Sequence, residues 1–445
     1  MSSPERLGVA IDLGTTTIAA ALVELTSGAI RGRCGTLNPQ RGRGLDVVSR
    51  LEYAGRSREN LLELKELVNL ELCGVVRRLG MEAGVDPAGI EALSIAGNPT
   101  MSHLLLGLEI DTLARPPYRP RDTSSHRLST AELGWDLDIP AYIFPSPGGF
   151  VGGDTVAFLY GLGINSGARS EERGAGSGAG ENDEHASFRT SDLGPRTCLY
   201  LDLGTNGEIA LLAGGRLYAT SAAAGPAFEG GNLFCGMAAL PGAIHRVYLD
   251  AGRLAYDTVG GGICRGVCGS GILDSVAMLL GEGLVDASGR LLDPAEVGSP
   301  LGNRLVEVGV ERHFIIYRDA RTLVSISQSD IRQLQLAKGA VRAGIEVLLA
   351  RGGVSAEDLE EVVITGSFGA ALRLQSLNSI GVLTENMVKN ARFVREGALA
   401  GAIRHLLAPD AGMGVESLAA GLKIIPLSGT PLFERHFLEQ INFQQ

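Results

Sequence analysis

Apolar residues along this chain come in short blocks, each closed by glycine or a polar turn, and the blocks alternate between strand-like and helix-like spacing. Residues 8–13 (GVAIDL) read as a buried strand, 14–16 as a turn and 17–24 as a second strand. A Gly/Arg-rich connection follows, and then a helix is predicted over about 57–80. IEALSIAG (90–97) reads as a buried strand, TMSHLLLGL as a short helix, AYIFPSP (141–147) as a strand and GDTVAFLYGLG (153–163) as a helix. Further on, paired strands are predicted at 199–213 and 216–221, before a Gly-rich tract. A long helix spans about 329–351, where Leu334, Ala337, Val341, Ile345 and Leu348 make one apolar face. Ser327 and Asp330 have capping-box spacing at its start, and Gly352-Gly353 stops it. LEEVVITGSFG (359–369) is a buried strand ending in a Gly turn, and EGALAGAIRHLL (396–407) is a helix of small residues.

Residues 164–197 break this pattern. Gly, Ser, Arg and Glu dominate there, with only Ile164, Phe188 and Leu193 as sizeable apolar residues. Such a segment buries too little surface to offset its ordering entropy, so a flexible linker or disordered loop is expected. It divides the chain into a first domain (1–163) and a second (198–445), and each opens with an Asp-Leu-Gly-Thr run, at Asp12 and at Asp202. Strands mixed with crossover helices make the fold class α/β, and the duplicated opening suggests two similar domains facing a ligand cleft.

Composition agrees with that picture and narrows the function. The chain has 445 residues, 45% apolar and 5% aromatic, with 62 glycines, as suits many tight strand-to-helix turns. A formal net charge of −11 makes nucleic acid a poor partner. Met1 to Arg6 is polar and the next apolar run is broken by Asp12, so no secretory leader is expected. No stretch reaches the roughly 18 apolar residues of a membrane helix. The six cysteines (34, 73, 198, 235, 264, 268) form no C-x-x-C pair, which points to reduced thiols and a cytoplasmic location.

The repeated turn carries the chemistry. A β-hairpin tip with Gly and Thr can aim backbone N–H groups and hydroxyls at a phosphate. Gly14 and Gly204 permit close approach; Thr15, Thr16 and Thr17 offer hydroxyls on one tip, and Thr205 and Asn206, followed by Gly207, form the other. Asp12 and Asp202 precede the turns and suit Mg²⁺, directly or through water. Two such hairpins suit ATP with Mg²⁺; a single Asp-Leu-Gly-Thr would be an ordinary turn. VVITGSFGAAL (362–372) resembles a Gly-rich turn that accepts an adenosine, with Gly366, Ser367 and Gly369 in it. Arg373 is a candidate contact or a solvated surface residue.

The order phosphate turn, connecting helix, phosphate turn, adenosine turn, second connecting helix resembles the actin, hexokinase and heat-shock chaperone ATPase superfamily. That likeness implies two ribonuclease-H-like domains flanking a nucleotide cleft. GDTVAFLYG and EGALAGAIRHLL fit the two connecting helices, whose small residues allow a close crossing. A closer resemblance spans nearly the whole chain. NPQRGRGLDVVSRLEYA (38–54), IAGNPTMSHLLLG (95–107), PPYRP (116–120), VGGDTVAF (151–158), DLGTNGEI (202–209), AAAGPAFEGG (222–231), CGSGILD (268–274) and DIRQLQLAKGAVRAGI (330–345) carry it. These are similar to the ATPase domain of reductive activators of corrinoid proteins. The resemblance implies ATP hydrolysis coupled to reduction of an inactive Co(II) corrinoid to Co(I), with a corrinoid protein or corrinoid-dependent methyltransferase as partner. Typical members begin with a ferredoxin-like iron–sulfur domain. Here the first phosphate strand opens at about Gly8 and no plant-type C-x₄-C-x₂-C run occurs, so a separate ferredoxin-type donor, a longer parent protein, or another use of ATP is expected.

Individual residues keep two readings at this stage. In related sugar kinases an Asp at the G-D-x-x-A position accepts the substrate proton. Asp154 would then orient or deprotonate water in an ATPase, or act as a helix N-cap. Glu208 suits a metal-bound water or an exposed pleat, and Glu229 a ribose hydroxyl or a plain loop. Lys338 reaches a nucleotide or snorkels from its helix. Cys264 and Cys268 ligate a cluster shared across a homodimer, or simply pack in a turn of small residues, and His103 packs in its helix. Two rival functions stand beside the activator: a small-molecule kinase using Asp154 as base, and a nucleotide-gated binding module.

Overall fold

The computed structural model describes residues 5–116, 118–164, 196–366, 372–408 and 412–443. The first stretch of chain contains strands β1 (Leu7–Leu13), β2 (Thr17–Glu24), β3 (Ile30–Leu37), β4 (Ile90–Gly97), β5 (His126–Ser129) and β6 (Pro140–Ile143). Its helices are α1 (Val47–Ala54), α2 (Arg58–Glu82), α3 (Pro99–Leu106), α4 (Asp111–Ala114) and α5 (Gly153–Gly161). Most of the expected linker, 165–195, lies outside the described residues.

Beyond it come β7 (Cys198–Leu203), β8 (Gly207–Ala213), β9 (Arg216–Ala222), β10 (Ala243–Asp250), β11 (Arg253–Thr258) and β12 (Gly266–Val267). They are followed by β13 (Leu305–Val308), β14 (Glu311–Arg318), β15 (Leu323–Ser327), β16 (Glu361–Gly366), β17 (Ala391–Phe393) and β18 (Leu422–Ile424). The helices of this part are α6 (Gly269–Gly281), α7 (Gln328–Gly352), α8 (Leu374–Ser379), α9 (Glu385–Lys389), α10 (Gly397–Leu407), α11 (Gly412–Gly421) and α12 (Pro431–Gln440).

The described residues fall into two compact units. One gathers those of Met1–Arg196, Gly214–Leu217 and Gly397–Lys423; the other Thr197–Ala213, Tyr218–Glu396 and Ile424–Gln445. Sequence order alone grouped 198–445. In the structure α10 and α11 belong with the first unit, because α10 lies against α5. The crossing is close: a Cβ on Gly401 would stand 1.8 Å from the Ala157 carbonyl oxygen.

The first unit is built on a six-stranded sheet in the order β3-β2-β1-β4-β6-β5. β1 pairs antiparallel with β2 and parallel with β4, and β4 runs parallel to β6. A central strand is buried on both faces, which is why β1 reads as an unbroken apolar run apart from half-buried Asp12. Leu64, Val68, Leu72, Val76 and Leu79 of α2 join the core beneath it. Ser57 caps α2 by accepting the Asn60 N–H at 3.2 Å.

The second unit repeats the arrangement in the strand order β17-β16-β7-β8-β9, with β7–β8 as the antiparallel hairpin and β16 parallel to β7. Two three-stranded sheets, β11-β10-β12 and β13-β14-β15, are added to it. The apolar stripe of α7 is fully buried, its capping box between Ser327 and Asp330 is formed, and Gly353 ends it at φ 69°. The strand expected at 141–147 stops at Ile143, since Pro145 and Pro147 lack the N–H a ladder needs.

Candidate functional site

β1, β4 and β6 are parallel, so their C-terminal ends share one edge of the first sheet, the usual location of ligands in such folds. Three connections leave that edge: the turn 14–16, the start of α3 at Asn98, and the loop into α5. They touch one another. Asn98 donates to the Thr15 hydroxyl at 2.9 Å, and a Cβ on Gly152 would meet the Asn98 Cα at 2.5 Å. Asp12, half-buried near the end of β1, pairs with Ala19 and Ala96 in the sheet.

The turn itself is held from behind. Asn38 Nδ2 donates to the Gly14 carbonyl at 2.9 Å, Arg50 Nη2 to the Thr15 carbonyl at 2.5 Å, and the Asn38 N–H to the Thr16 carbonyl at 3.0 Å. All three carbonyls thus point toward the segment 38–50. In a trans peptide the N–H lies opposite the preceding C=O, so the N–H groups of Thr15, Thr16 and Thr17 face the other way. Gly14 is required: a Cβ there would lie 2.5 Å from the Thr17 carbonyl oxygen. Thr17 is exposed, Thr16 is half-buried, and Thr15 is buried with its hydroxyl engaged by Asn98.

Asp154 is the second residue of α5, while the N-cap is Gly152; the N-cap reading of Asp154 is therefore corrected. Its Oδ1 accepts the Thr155 N–H at 2.7 Å. Burial pushes its pKa up to about 6, only partly offset by that bond. A carboxyl poised there exchanges protons near neutral pH, as a general base must.

In the second unit, Asp202 and Glu208 are partners across the β7–β8 hairpin, which puts two carboxylates on one face. Glu208 is buried, not on an exposed pleat, and accepts a bond from Ser221 Oγ at 3.4 Å. At the tip, Gly204 N–H donates to the Asn206 carbonyl at 3.1 Å. Glu229 turns onto this tip. Its carboxylate accepts from Thr205 N–H at 3.2 Å and from Thr205 Oγ1 at 2.9 Å. Gly207 packs so tightly that a Cβ would come within 2.7 Å of Val341. β16 ends beside the hairpin, with Thr365 opposite Asp202 and Gly366 opposite Leu203. Gly366 has φ 144°, a value that favours glycine. Ser367 and Gly369 lie outside the described residues; Arg373 is exposed.

Lys338 does not snorkel. It is fully buried, its ammonium donates to the Asn442 carbonyl and sits 5.4 Å from the Phe443 ring, and burial lowers its pKa to about 8. Cys264 and Cys268 are both buried; Cys268 Sγ contacts the Ile244 carbonyl at 3.3 Å, and burial raises Cys264 to about 11. Among the described residues no group of three or more His, Cys, Asp or Glu is placed to hold a metal ion. His103 is buried, with Nδ1 2.8 Å from the Pro99 carbonyl. Asp12, Asp202 and Glu208 remain chemically suited to Mg²⁺, which binds through one or two carboxylates when phosphates supply the other ligands. Sequence reasoning assigned no role to Asn38, Arg50 or Asn98. The available signal was polar residues inside motif segments otherwise rich in buried positions.

Mixed sheets opened by a Gly-Thr hairpin, twice over, define an actin-like ATPase fold of the ASKHA type. Residues 7–166 match the family described as the RACo middle region, and residues 196–445 the C-terminal domain of RACo, the ASKHA domain. The chain belongs to this RACo family, the reductive activators of corrinoid proteins. It is 33% identical over 411 residues to the corrinoid activation enzyme RamQ of Eubacterium limosum, covering 91% of this chain and 64% of that one. It is 27% identical over 398 residues to the [Co(II) methylated amine-specific corrinoid protein] reductase of Methanosarcina barkeri, covering 84% and 65%. A solved structure, the reductive activator for corrinoid,iron-sulfur protein, superposes with TM-score 0.85 at 29% identity, covering 100% of this chain and 67% of that one. The chain thus spans about two thirds of the length of these relatives. No helix among the described residues is long and apolar enough to cross a membrane.

Proposed function

We propose that the chain is an ATP-dependent reductive activator of a corrinoid methyltransfer protein. It couples ATP binding and hydrolysis to Co(II)-to-Co(I) reduction, with electrons from an iron–sulfur donor. The observation that carries the nucleotide half is the turn 14–16, whose carbonyls are all bound from one side and whose N–H groups face the other. Family membership supports the corrinoid half.

In this reading the turns 12–17 and 202–208 contact the phosphates of ATP. Asp12, Asp202 and Glu208 hold Mg²⁺, which neutralises phosphate charge. Asp154 orients water and accepts its proton, and Gly366 leaves room for the adenosine. Glu229 gives up its hold on Thr205 or passes that bond to the ligand.

The energetic demand is modest for a nucleotide. For a one-electron couple, each tenfold preference for the reduced partner is about 59 mV. A conformational preference of about 10⁴, roughly 5.5 kcal/mol, therefore shifts the effective potential by about 240 mV. The ATP-bound form favours a corrinoid geometry with its axial ligand removed, and hydrolysis releases the partner.

The test mixes the purified chain, an oxidised corrinoid protein, a low-potential ferredoxin and ATP–Mg²⁺, and follows the cobalt absorption bands. Growth of the Co(I) spectrum with ATP, and its absence with ADP, is the expected result. An unchanged Co(II) spectrum together with a phosphorylated small acceptor would establish the kinase instead.

A further inference from the structure

Arg50 is the largest fully buried polar side chain of the first unit, at 0% exposure. It lies on α1, whose start is fixed by the capping box between Asp46 and Ser49. From there its guanidinium spreads over neutral acceptors. Nε donates to the Gly44 carbonyl at 2.9 Å and Nη1 to Gln40 Oε1 at 3.2 Å, while Nη2 donates to the Thr15 carbonyl. The Met101 sulfur lies 3.3 Å from Nη1.

Among the described residues, none of these partners is a carboxylate. Asp46 is near enough to favour the Arg50 charge, but the Asp46 carboxylate accepts the Ser49 N–H at 2.8 Å as a cap. Arg41 is a like-charged neighbour. Burial lowers the Arg50 pKa to about 10, so the group stays charged at neutral pH. A buried cation held only by neutral acceptors is costly, and an anion bound nearby would offset that cost. The anion side of this turn is where the Thr15, Thr16 and Thr17 N–H groups face. A neutral donor would serve if holding one carbonyl were the whole task.

We infer that Arg50 is a positioning residue for phosphate: it fixes the Thr15 peptide plane so that the turn's N–H groups face the ligand, and it sets a positive charge behind them. This rests on the nucleotide reading above. Asn38 and Asn98 complete the brace through Gly14, Thr16 and the Thr15 hydroxyl, but neither carries charge.

The test is an affinity ladder of adenosine, ADP and ATP with Mg²⁺, measured by calorimetry on the full chain. Arg50→Lys keeps the charge and loses the fork; Arg50→Met keeps the bulk and loses both. ADP and ATP affinities are expected to fall at least tenfold in Arg50→Lys and further in Arg50→Met, with adenosine unchanged within twofold. A purely structural Arg50 would weaken all three ligands alike, or none, and either result overturns the proposal. A wild-type chain that takes up no nucleotide sinks the nucleotide reading itself, a result distinct from wild-type binding that the variants share. If the variants do not melt cooperatively, the wild-type Arg50 Nε–H resonance decides. It must shift on adding ADP or pyrophosphate and stay put with adenosine; a resonance unmoved by saturating ADP overturns the inference.

Discussion

At the scale of single residues, the role proposed for Asp154 carries a measurable cost. Its pKa rises from 3.8 to about 6 because burial penalises the carboxylate. A carboxyl that binds its proton more tightly folded than unfolded lowers stability as pH climbs between those two values, and the penalty persists above them. Asp154→Asn is therefore expected to raise the melting temperature at pH 7 relative to wild type, and to lose that advantage below about pH 4. A stabilisation on the order of 1–3 kcal/mol fits a shift of this size. ATP turnover should fall by about 10²–10⁴-fold while ADP binding survives. The wild-type turnover rate should rise with pH through about 6 and then level off. A variant that hydrolyses ATP normally would remove Asp154 from the chemistry. The residues proposed for nucleotide contact could be picked out in the sequence, because Asp12, Asp202, Asp154 and the glycines sit in short contiguous motifs. Arg50 and Asn98 were not, since their function is a contact with Thr15 across 35 and 83 positions. Only a folded chain brings those residues together.

At the scale of elements, the crossing of α5 and α10 is among the most exacting contacts of the described residues in the first unit. Gly161 and Gly401 let the two backbones meet: a Cβ on Gly161 would lie 2.9 Å from the Gly401 nitrogen. Gly401→Ala must push the helices apart, and overpacking of this kind costs about 1–3 kcal/mol or more. Gly74 is the internal control. It is exposed, lies mid-helix in α2, and a Cβ added there would meet nothing within 4 Å, so Gly74→Ala should stabilise by about 1 kcal/mol through helix propensity. Thermal melts of the two alanine variants should thus move in opposite directions; equal shifts would mean that the crossing is looser than its geometry. The same contrast explains which elements could be read in advance. α2, α7 and the hairpins carry a clear period or a glycine stop, so their spans came out within a few residues. β3 has no fully buried position and carries charged side chains, and α1 is only eight residues long, so neither stands out from the Gly/Arg-rich connection around it. The strands β10 to β15 are interrupted by glycine turns such as Gly252 and Gly309, both at positive φ, and their pairing is what makes them strands.

At the scale of the whole molecule, charge opposes the proposed ligand. The chain carries a formal −11, and ATP adds a polyanion to it. Asp12, Asp202 and Glu208 concentrate further negative charge in and beside the two phosphate turns. Long-range attraction thus cannot assemble the complex, and affinity must come from local positive sources: turn N–H groups, Arg50 and a divalent cation. In the proposed complex the cation is decisive, because without it the carboxylates would repel the phosphates they are proposed to flank. Two consequences are measurable together. ATP should raise the melting temperature only when Mg²⁺ is present, and chelation with EDTA should abolish the shift. At a ligand concentration about 100 times Kd the linkage amounts to about 2.7 kcal/mol. Asp12→Ala and Asp202→Ala should each weaken Mg²⁺-dependent binding at least tenfold, yet bring the affinities with and without metal closer together, since each removes a repulsive charge along with a metal ligand. ATP uptake that is equally tight in EDTA, or left unchanged by both substitutions, would show that the carboxylates at these turns have some other purpose.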